Sequence, residues 1–138
     1  MGRSRVARKI HARSMKFMLD SNVVIAVALA AGENIRRRMA EHDQNDFAIS
    51  SIAYAEVLHG SVRGKPPVEE ALQALVEEVP VLPFDVAAAT VYSRIPFKRA
   101  SYDRLIAAHA LSLGLAVITQ NEKHFADVPG LVVENWAA

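Results

Sequence analysis

The sequence predicts an α/β protein in which helices cover both faces of a short, mostly parallel sheet, giving a three-layer α/β/α sandwich. Short apolar segments alternate along the chain with helical segments of about ten residues, a pattern typical of right-handed βαβ units. The strand segments are apolar without alternation, as strands buried on both faces are. With 138 residues, 51% of them apolar, the chain is long enough for one compact domain.

The composition excludes several classes of protein. There are 16 Lys or Arg residues against 15 Asp or Glu residues, and the apolar fraction is too high for a disordered chain. The absence of cysteine excludes a disulfide framework, a thiolate zinc site and a cysteine nucleophile. The longest apolar run, residues 23–31, is much shorter than the roughly 20 residues of a membrane span. We therefore expect a soluble, cytoplasmic protein without membrane contact.

The first 14 residues differ from the rest of the chain. This segment, MGRSRVARKIHARS, has five basic residues and no acidic one, and apolar patterning begins only at Met15. We expect residues 1–14 to be a disordered basic appendage and residues 15–138 to form the domain. Without the appendage, 11 of the 16 basic residues remain against 15 acidic ones, so the domain is acidic. An upstream start, an added leader, a nucleic-acid-binding arm and a transit peptide all stay open for this segment.

Start and stop signals divide the first half of the domain. Asp20 follows the first apolar run, Gly32 separates two helical segments, and Ser51 is placed to cap a helix. Pro67 suits the first position of another helix. The predicted elements are a strand over 16–19, helices over 22–30 and 33–41, a strand over 47–50, and helices over 52–61 and 68–79.

The second half has similar signals. Asp85 and Ser101 are placed to cap helices, Gly114 is placed to end one, and Pro83 indicates an edge strand. The predicted elements are a strand over 81–84, helices over 86–95 and 102–113, and strands over 115–119 and 131–133. The aromatic residues expected to close the core near the C-terminus are Phe125 and Trp136.

Three acidic residues lie where parallel sheets bind ligands, near the carboxyl ends of strands. Asp20 follows the first strand, Glu56 lies in the helix after the second strand, and Asp103 lies in the first turn of its helix. Caps and first-turn acids also have a structural explanation, because the helix dipole favours them by about 0.3–1 kcal/mol. Glu56 has apolar neighbours in sequence and is harder to explain in this way, because burying an unpaired carboxylate is costly.

Three carboxylates that converge repel one another, and a divalent cation removes this repulsion. Oxygen-only ligands suit Mg²⁺ or Mn²⁺, and such an ion can assist the attack of water on a phosphodiester. The predicted chemistry is therefore metal-assisted phosphodiester hydrolysis, with Asp20, Glu56 and Asp103 as metal ligands.

Five segments, taken in order along the chain, resemble the PIN-domain ribonucleases, and in particular the VapC and FitB-like toxins of bacterial toxin–antitoxin pairs. They are residues 18–25 (MLDSNVVI), 50–60 (SSIAYAEVLHG), 103–111 (DRLIAAHAL), 117–125 (VITQNEKHF) and 130–136 (GLVVENW). The resemblance spans residues 15–136. It implies a PIN-like fold in which the metal-binding acids are Asp20, Glu56 and Asp103. It also implies a catalytic role for Asn121, where the family has Asp or Asn, and a site lined by the hydroxyl residues Thr119 and Ser21.

The function that the resemblance implies is a Mg²⁺- or Mn²⁺-dependent endoribonuclease that acts as a toxin. The implied partners are an RNA substrate, a second copy of the chain in a homodimer, and a cognate antitoxin that inserts an arginine into the acidic site. A guanidinium can pair with two carboxylates and take the place of a cation, so this inhibition is physically reasonable. Two departures from the family matter. Asn121 is neutral and adds little to a second metal site, and the connection over residues 95–103 is shorter than usual, so the groove rim and dimer contact are expected to differ.

Basic residues and histidines supply the remaining candidates. Arg36, Arg37 and Arg38 are consecutive in a helix, so solvated helix faces explain them better than phosphate contacts. The candidate phosphate contacts near the site are Arg94, Lys98, Arg99, Arg104 and Lys123. The five histidines show no zinc-binding spacing. We expect His109 to be a packing residue, and His59 shares a helical stripe with Glu56 and is a candidate for a supporting role.

Three other functions stay open. Residues 20–24 (DSNVV) resemble the strand-end loop of haloacid-dehalogenase-like phosphatases, although Asn22 replaces an acid that this chemistry needs. A second alternative is an RNA-processing nuclease that is not a toxin. The third is a catalytically silent module that regulates a DNA-binding antitoxin. Metal-dependent RNA cleavage that is lost on chelation would separate a nuclease from this binding module.

Overall fold

A computed structural model describes residues 15–96 and 99–137. The predicted appendage over 1–14 and the candidate phosphate contact Lys98 lie outside these residues. The described strands are β1 (Phe17–Leu19), β2 (Phe47–Ser50), β3 (Val81–Leu82), β4 (Ala116–Ile118) and β5 (Val133–Glu134). The described helices are α1 (Ser21–Ala28), α2 (Glu33–Ala40), α3 (Ser51–Val62), α4 (Glu69–Glu78), α5 (Val86–Arg94) and α6 (Tyr102–Leu113), with short 3₁₀ helices at Gln44–Asp46 and Glu122–His124. Across the described ranges, no helix has the length and apolar character needed to cross a membrane.

The five described strands form one sheet in the order β3-β2-β1-β4-β5, and all four neighbouring pairs are parallel. Pairs of helices connect β1 to β2, β2 to β3 and β3 to β4. Every residue of β1 and β2 is buried, although successive side chains of a strand point to opposite faces. Both faces of the sheet are therefore covered, which confirms the predicted three-layer sandwich.

The two edge strands are short, with two residues each in β3 and β5. Pro83 directly follows β3, so the edge position predicted from this proline is confirmed. The last strand lies later than predicted: Val133 and Glu134, rather than residues 131–133, pair with β4.

Helix caps are where the predicted and observed boundaries agree best. The Asp20 carboxylate accepts a hydrogen bond from the third residue of its helix, and Asp85 and Ser101 cap α5 and α6 in the same way. Gly114 ends α6 in the left-handed conformation with φ +70°, as predicted.

Two predicted helix starts are wrong. Ser50 caps α3 in place of Ser51, because the Ser50 Oγ accepts the backbone N–H of Ile52 at 3.1 Å. Ser51 is already helical, and its hydroxyl accepts the Phe84 N–H at 2.9 Å instead. Pro67 does not begin a helix either, since α4 starts two residues later, after Val68.

The aromatic side chains close the core as expected. Trp136 and Phe125 are both about 1% exposed. The Trp136 ring contacts Phe17 and Phe47, the first residues of β1 and β2, with ring centroids 4.9 and 5.9 Å away. The C-terminal segment is thus anchored to the start of β1 and β2.

Candidate active site

The sheet order places a crevice at the carboxyl ends of β1 and β4. The connection after β1 leads to β2 on one side, whereas β4 leads to β5 on the other side, and ligands of parallel sheets bind at such a reversal. Asp20 and Thr119 are the residues directly after these two strands. The Asp20 N–H donates to the Ile118 carbonyl at 3.1 Å, and the Thr119 N–H donates to the Glu134 carbonyl at 3.0 Å. The backbone ladder therefore holds both residues at the crevice.

The Asp20 carboxylate is buried, and each of its two oxygens accepts a hydrogen bond. Asp20 is one of the few charged residues that are buried, and only 2% of its surface is exposed. The Oδ1 atom accepts the Val23 N–H at 3.1 Å, and Oδ2 accepts the Thr119 hydroxyl at 2.5 Å. The Thr119 Oγ1 in turn accepts the Asn121 N–H at 2.9 Å, which leaves its own proton for Asp20. A directional chain of hydrogen bonds thus orients the carboxylate.

Burial raises the pKa of Asp20, and this is the largest influence on the group. The hydrogen bonds from Thr119 and Val23 lower the pKa, whereas the negative charges of Asp103 and Glu56 raise it further. Asp20 therefore experiences the repulsion of both other acids that the sequence singled out.

Glu56 is exposed, on the side of α3 that faces the groove described below. The argument that burial makes this carboxylate hard to explain is therefore wrong: α3 leaves this part of its surface open, so no desolvation cost arises. The Ser21 hydroxyl donates to Glu56 Oε1 at 2.5 Å, and Ser21 itself is buried. Ser21 follows Asp20 at the start of α1, so this bond connects α3 to the Asp20 end of the site.

Asp103 lies in the first turn of α6, and its side chain is 33% exposed. Its Oδ2 atom is 3.0 Å from Nδ1 of His124. The sequence analysis gave His124 no role. The sequence signal that could have identified His124 was its closeness to Asn121, which the short 3₁₀ helix containing His124 directly follows.

A groove of about 640 Å³ opens beside Glu56. Its walls come from α1, α3, the loop after α3 and the first residue of α6; they include Asn22, Ile25, Ile52, His59, Arg63, Lys65 and Tyr102. The sequence analysis named His59 as a possible neighbour of Glu56 but missed Arg63, Lys65 and Tyr102. Tyr102 directly precedes Asp103 and is 60% exposed. The groove is therefore lined by the acidic Glu56 together with the basic Arg63 and Lys65, and it adjoins the start of the helix that carries Asp103.

Several other basic side chains have partners within the protein. Arg37 pairs with Glu33 at 3.7 Å, and the guanidinium of Arg38 lies 5.0 Å from the centre of the Trp136 ring. These contacts agree with the interpretation of the arginine triplet as a helix surface. Arg104, a candidate phosphate contact, pairs with Asp127 at 3.4 Å.

The acidic residues fit a Mg²⁺ or Mn²⁺ ion that keeps much of its water. In the two described ranges, no three His, Asp or Glu side chains already form a compact metal-binding group. A closed cage is not required, because Mg²⁺ usually binds one or two carboxylates and retains water ligands. Burial is the largest cause of the raised pKa of Asp20, and the negative charges of Asp103 and Glu56 raise it further; a cation at this site would offset that negative charge.

Comparison with known proteins agrees with this architecture. The PIN domain family matches residues 17–131. The tRNA(fMet)-specific endonuclease VapC of Shigella flexneri is 32% identical over 132 residues, covering 89% of this chain and 99% of the relative. Ribonuclease VapC2 of Haemophilus influenzae is 28% identical over 137 residues, covering 88% and 98%.

A solved structure extends the similarity to three dimensions. The crystal structure of DNA-bound VapBC from Salmonella typhimurium matches with a TM-score of 0.77 and 32% identity, covering 88% of this chain and 98% of that chain. Fold, sequence and order of motifs therefore agree over nearly the whole described domain. The chain belongs to the PIN-domain family and, within it, to the VapC proteins.

Proposed function

We propose that this protein is an endoribonuclease that requires Mg²⁺ or Mn²⁺ and acts as the toxin of a toxin–antitoxin pair. The observation that carries the proposal is the buried Asp20 carboxylate at the sheet reversal, which is repelled by both Glu56 and Asp103. A buried acid with this environment in a cleft is typical of a catalytic site. The similarity to VapC nucleases supplies the substrate class, which is RNA.

In this proposal the three acids bind the metal, and the hydroxyl residues orient them. When bound, the ion supplies Lewis-acid stabilisation of charge on the phosphate and helps to activate the attacking water. Thr119 fixes the rotamer of Asp20, and Ser21 holds Glu56 toward the start of α1. The backbone N–H of Asn121 donates to Thr119, which holds this residue beside Asp20. In the proposal, the Asn121 side chain orients substrate or water.

The proposed partners follow from the relatives. The Shigella flexneri and Haemophilus influenzae relatives are VapC proteins, and the Salmonella typhimurium structure is a VapBC assembly on DNA. The VapBC assembly supports a cognate antitoxin as a partner of this chain. A homodimeric toxin and action in the cytoplasm are further parts of the proposal, which the family resemblance implies. An antitoxin arginine placed between Asp20 and its acidic neighbours would compete with the metal for the same charge.

The test of nuclease activity uses purified protein and total RNA. Cleavage is expected with Mg²⁺ or Mn²⁺, and its loss is expected with EDTA and with Asp20→Asn. Glu33→Gln, which removes an acid that pairs with Arg37 on α2, is the matched control and should cleave like the wild type. Intact RNA after incubation with metal-loaded wild type would favour the silent binding module instead.

The test of toxin function compares expression of the protein with and without the gene product encoded beside it. We expect growth arrest when the wild type is expressed alone, rescue by the neighbouring product, and a stable complex of both on purification. Harmless expression together with metal-dependent cleavage in vitro would favour the RNA-processing nuclease.

A further inference from the structure

His109 is a polar side chain in the core that the proposed chemistry does not use. It lies on α6 between Ala108 and Ala110, and the residue is 1% exposed. Burial lowers the pKa of its imidazole, which favours the neutral ring. A polar group in such a place needs a hydrogen-bond partner, and Nδ1 of His109 lies 2.8 Å from Oγ of Ser50.

Ser50 connects two elements of the site. It is the last residue of β2 and the cap of α3, and its Oγ already accepts the Ile52 N–H. The Ser50 Oγ can accept a second hydrogen bond or donate its own proton, so it pairs with Nδ1 of His109 in either tautomer of the neutral ring. The His109–Ser50 hydrogen bond thus joins α6, which carries Asp103, to the start of α3, which carries Glu56.

The side chains next to His109 on the buried part of α6 are apolar. Ile106, Ala107 and Ala110 bury the same part of α6, and the two alanines provide small, smooth contacts. Such contacts are not directional, so they restrain a shift of the helix along its axis less than a hydrogen bond does. Repulsion among Asp20, Glu56 and Asp103 also acts to spread the elements that carry them.

We propose that His109 is a positioning residue, which acts through Ser50 to hold Asp103 and Glu56 at the spacing that metal binding requires. The expected effect of His109 on the rate of cleavage rests on the proposed nuclease function. The expected effect of His109 on metal binding can be measured without cleavage. It assigns His109 a function beyond the packing role expected from the sequence.

The test compares two amides at this position. In His109→Asn, an amide atom lies close to where Nδ1 was, so the bond to Ser50 can re-form. In His109→Gln, the amide lies one carbon further out and does not meet Ser50. Phe84→Leu is the control for packing, because the Phe84 ring contacts His109 edge-on with centroids 5.5 Å apart and takes no part in the hydrogen bond.

Two quantities are measured for each variant. The first is the Mn²⁺ dissociation constant, obtained without RNA from the rise in melting temperature with Mn²⁺ concentration. The second is the pair kcat and KM for a labelled RNA oligonucleotide that spans a cleavage site mapped with the wild type. We expect His109→Gln to bind Mn²⁺ about tenfold more weakly and to have a kcat about tenfold lower, with KM within about twofold of the wild type. His109→Asn should recover most of both losses.

A purely structural role gives a different result. Phe84→Leu should lower the melting temperature and leave the Mn²⁺ dissociation constant and kcat unchanged. A His109→Gln protein that also keeps both quantities at wild-type values would overturn the proposal. If wild type cleaves no RNA, the nuclease proposal fails, whereas the Mn²⁺ titration still decides the role of His109.

A second route covers the case that His109→Gln does not fold. Ser50→Gly removes the hydroxyl but keeps a residue type that tolerates the cap position. It should weaken Mn²⁺ binding by about the same factor as expected for His109→Gln. Wild-type Mn²⁺ affinity in folded Ser50→Gly would equally contradict the proposal.

Discussion

The two halves of the acidic site are built differently. Asp20 and Thr119 are buried at the ends of β1 and β4, and two hydrogen bonds orient the Asp20 carboxylate. Glu56 and Asp103 lie on helices and are more open to solvent: Glu56 accepts the hydroxyl of Ser21, and Asp103 contacts the ring of exposed His124.

This difference indicates that the two halves contribute differently to the proposed chemistry. The strand-end half is preorganised before any ligand binds, and preorganised groups contribute most to transition-state stabilisation. The helical half presents its carboxylates to solvent, where an ion and a phosphate can reach them. Loss of the Thr119 hydroxyl in the first half should therefore lower stability, whereas substitutions in the second half should act mainly on metal and substrate binding.

The largest expected effect is the loss of cleavage on removing an acid. Asp20→Asn, Glu56→Gln and Asp103→Asn should each lower RNA cleavage at least about a hundredfold, because each removes charge that binds the metal. Their melting temperatures in EDTA should stay the same or rise, since mutual repulsion is reduced. Cleavage assays on one RNA substrate, paired with thermal melts, measure both. Full activity in any one variant would remove that acid from the mechanism.

The next largest effect is a difference in stability between removal of the Thr119 hydroxyl and removal of the Ser21 hydroxyl. Thr119→Val should lower the free energy of unfolding by about 1–3 kcal/mol, because it leaves a buried oxygen of Asp20 and the Asn121 N–H without their partner. Ser21→Ala should change it by less than about 1 kcal/mol, since Glu56 is open to water. Urea unfolding of both variants gives the comparison, and equal losses would contradict the division into a buried and an open half.

Metal binding should stabilise the wild type by a moderate amount. At a Mg²⁺ or Mn²⁺ concentration about 100 times the dissociation constant, we expect a rise in melting temperature of roughly 5–10 °C. The rise should be much smaller for Asp103→Asn and unchanged for Glu33→Gln. Equal shifts in wild type and Asp103→Asn would mean that the ion binds elsewhere.

The smallest effect is a pH dependence of stability without metal. The pKa of Asp20 is raised above its ordinary value of 3.8, so the folded state holds this proton more tightly than the unfolded state. Its contribution is therefore most favourable at low pH and is lost as pH rises from 3.8 through the raised pKa. The stability of Asp20→Asn minus that of wild type, measured in EDTA, should increase with pH over this interval. A constant difference would contradict the direction of the shift.

The sequence analysis anticipated the architecture well because its signals are local. Continuous apolar runs mark buried strands, and Asp85, Ser101 and Gly114 mark helix ends by their own chemistry. The acid after β1 could be placed at the crevice because the topology of a parallel sheet determines where strands end.

The parts that could not be anticipated depend on contacts distant in sequence. The exposure of Glu56 is decided by what covers α3, and sequence neighbours do not reveal this. The contact of His124 with Asp103 joins residues 21 positions apart through a short turn. Ser50 rather than Ser51 is the cap, and the Ser51 hydroxyl instead accepts the backbone N–H of Phe84, which follows β3 and is distant in sequence.

The hydrogen bond between Thr119 and Asp20 joins residues 99 positions apart in the chain. During synthesis, β1 emerges from the ribosome early, but β4, its neighbour in the sheet, is among the last elements to follow. A nascent chain that ends before β4 has Asp20 without the hydroxyl that orients it and without one side of the crevice. The proposed ribonuclease activity should therefore arise only after nearly the whole domain has been translated, so that incomplete chains are inactive.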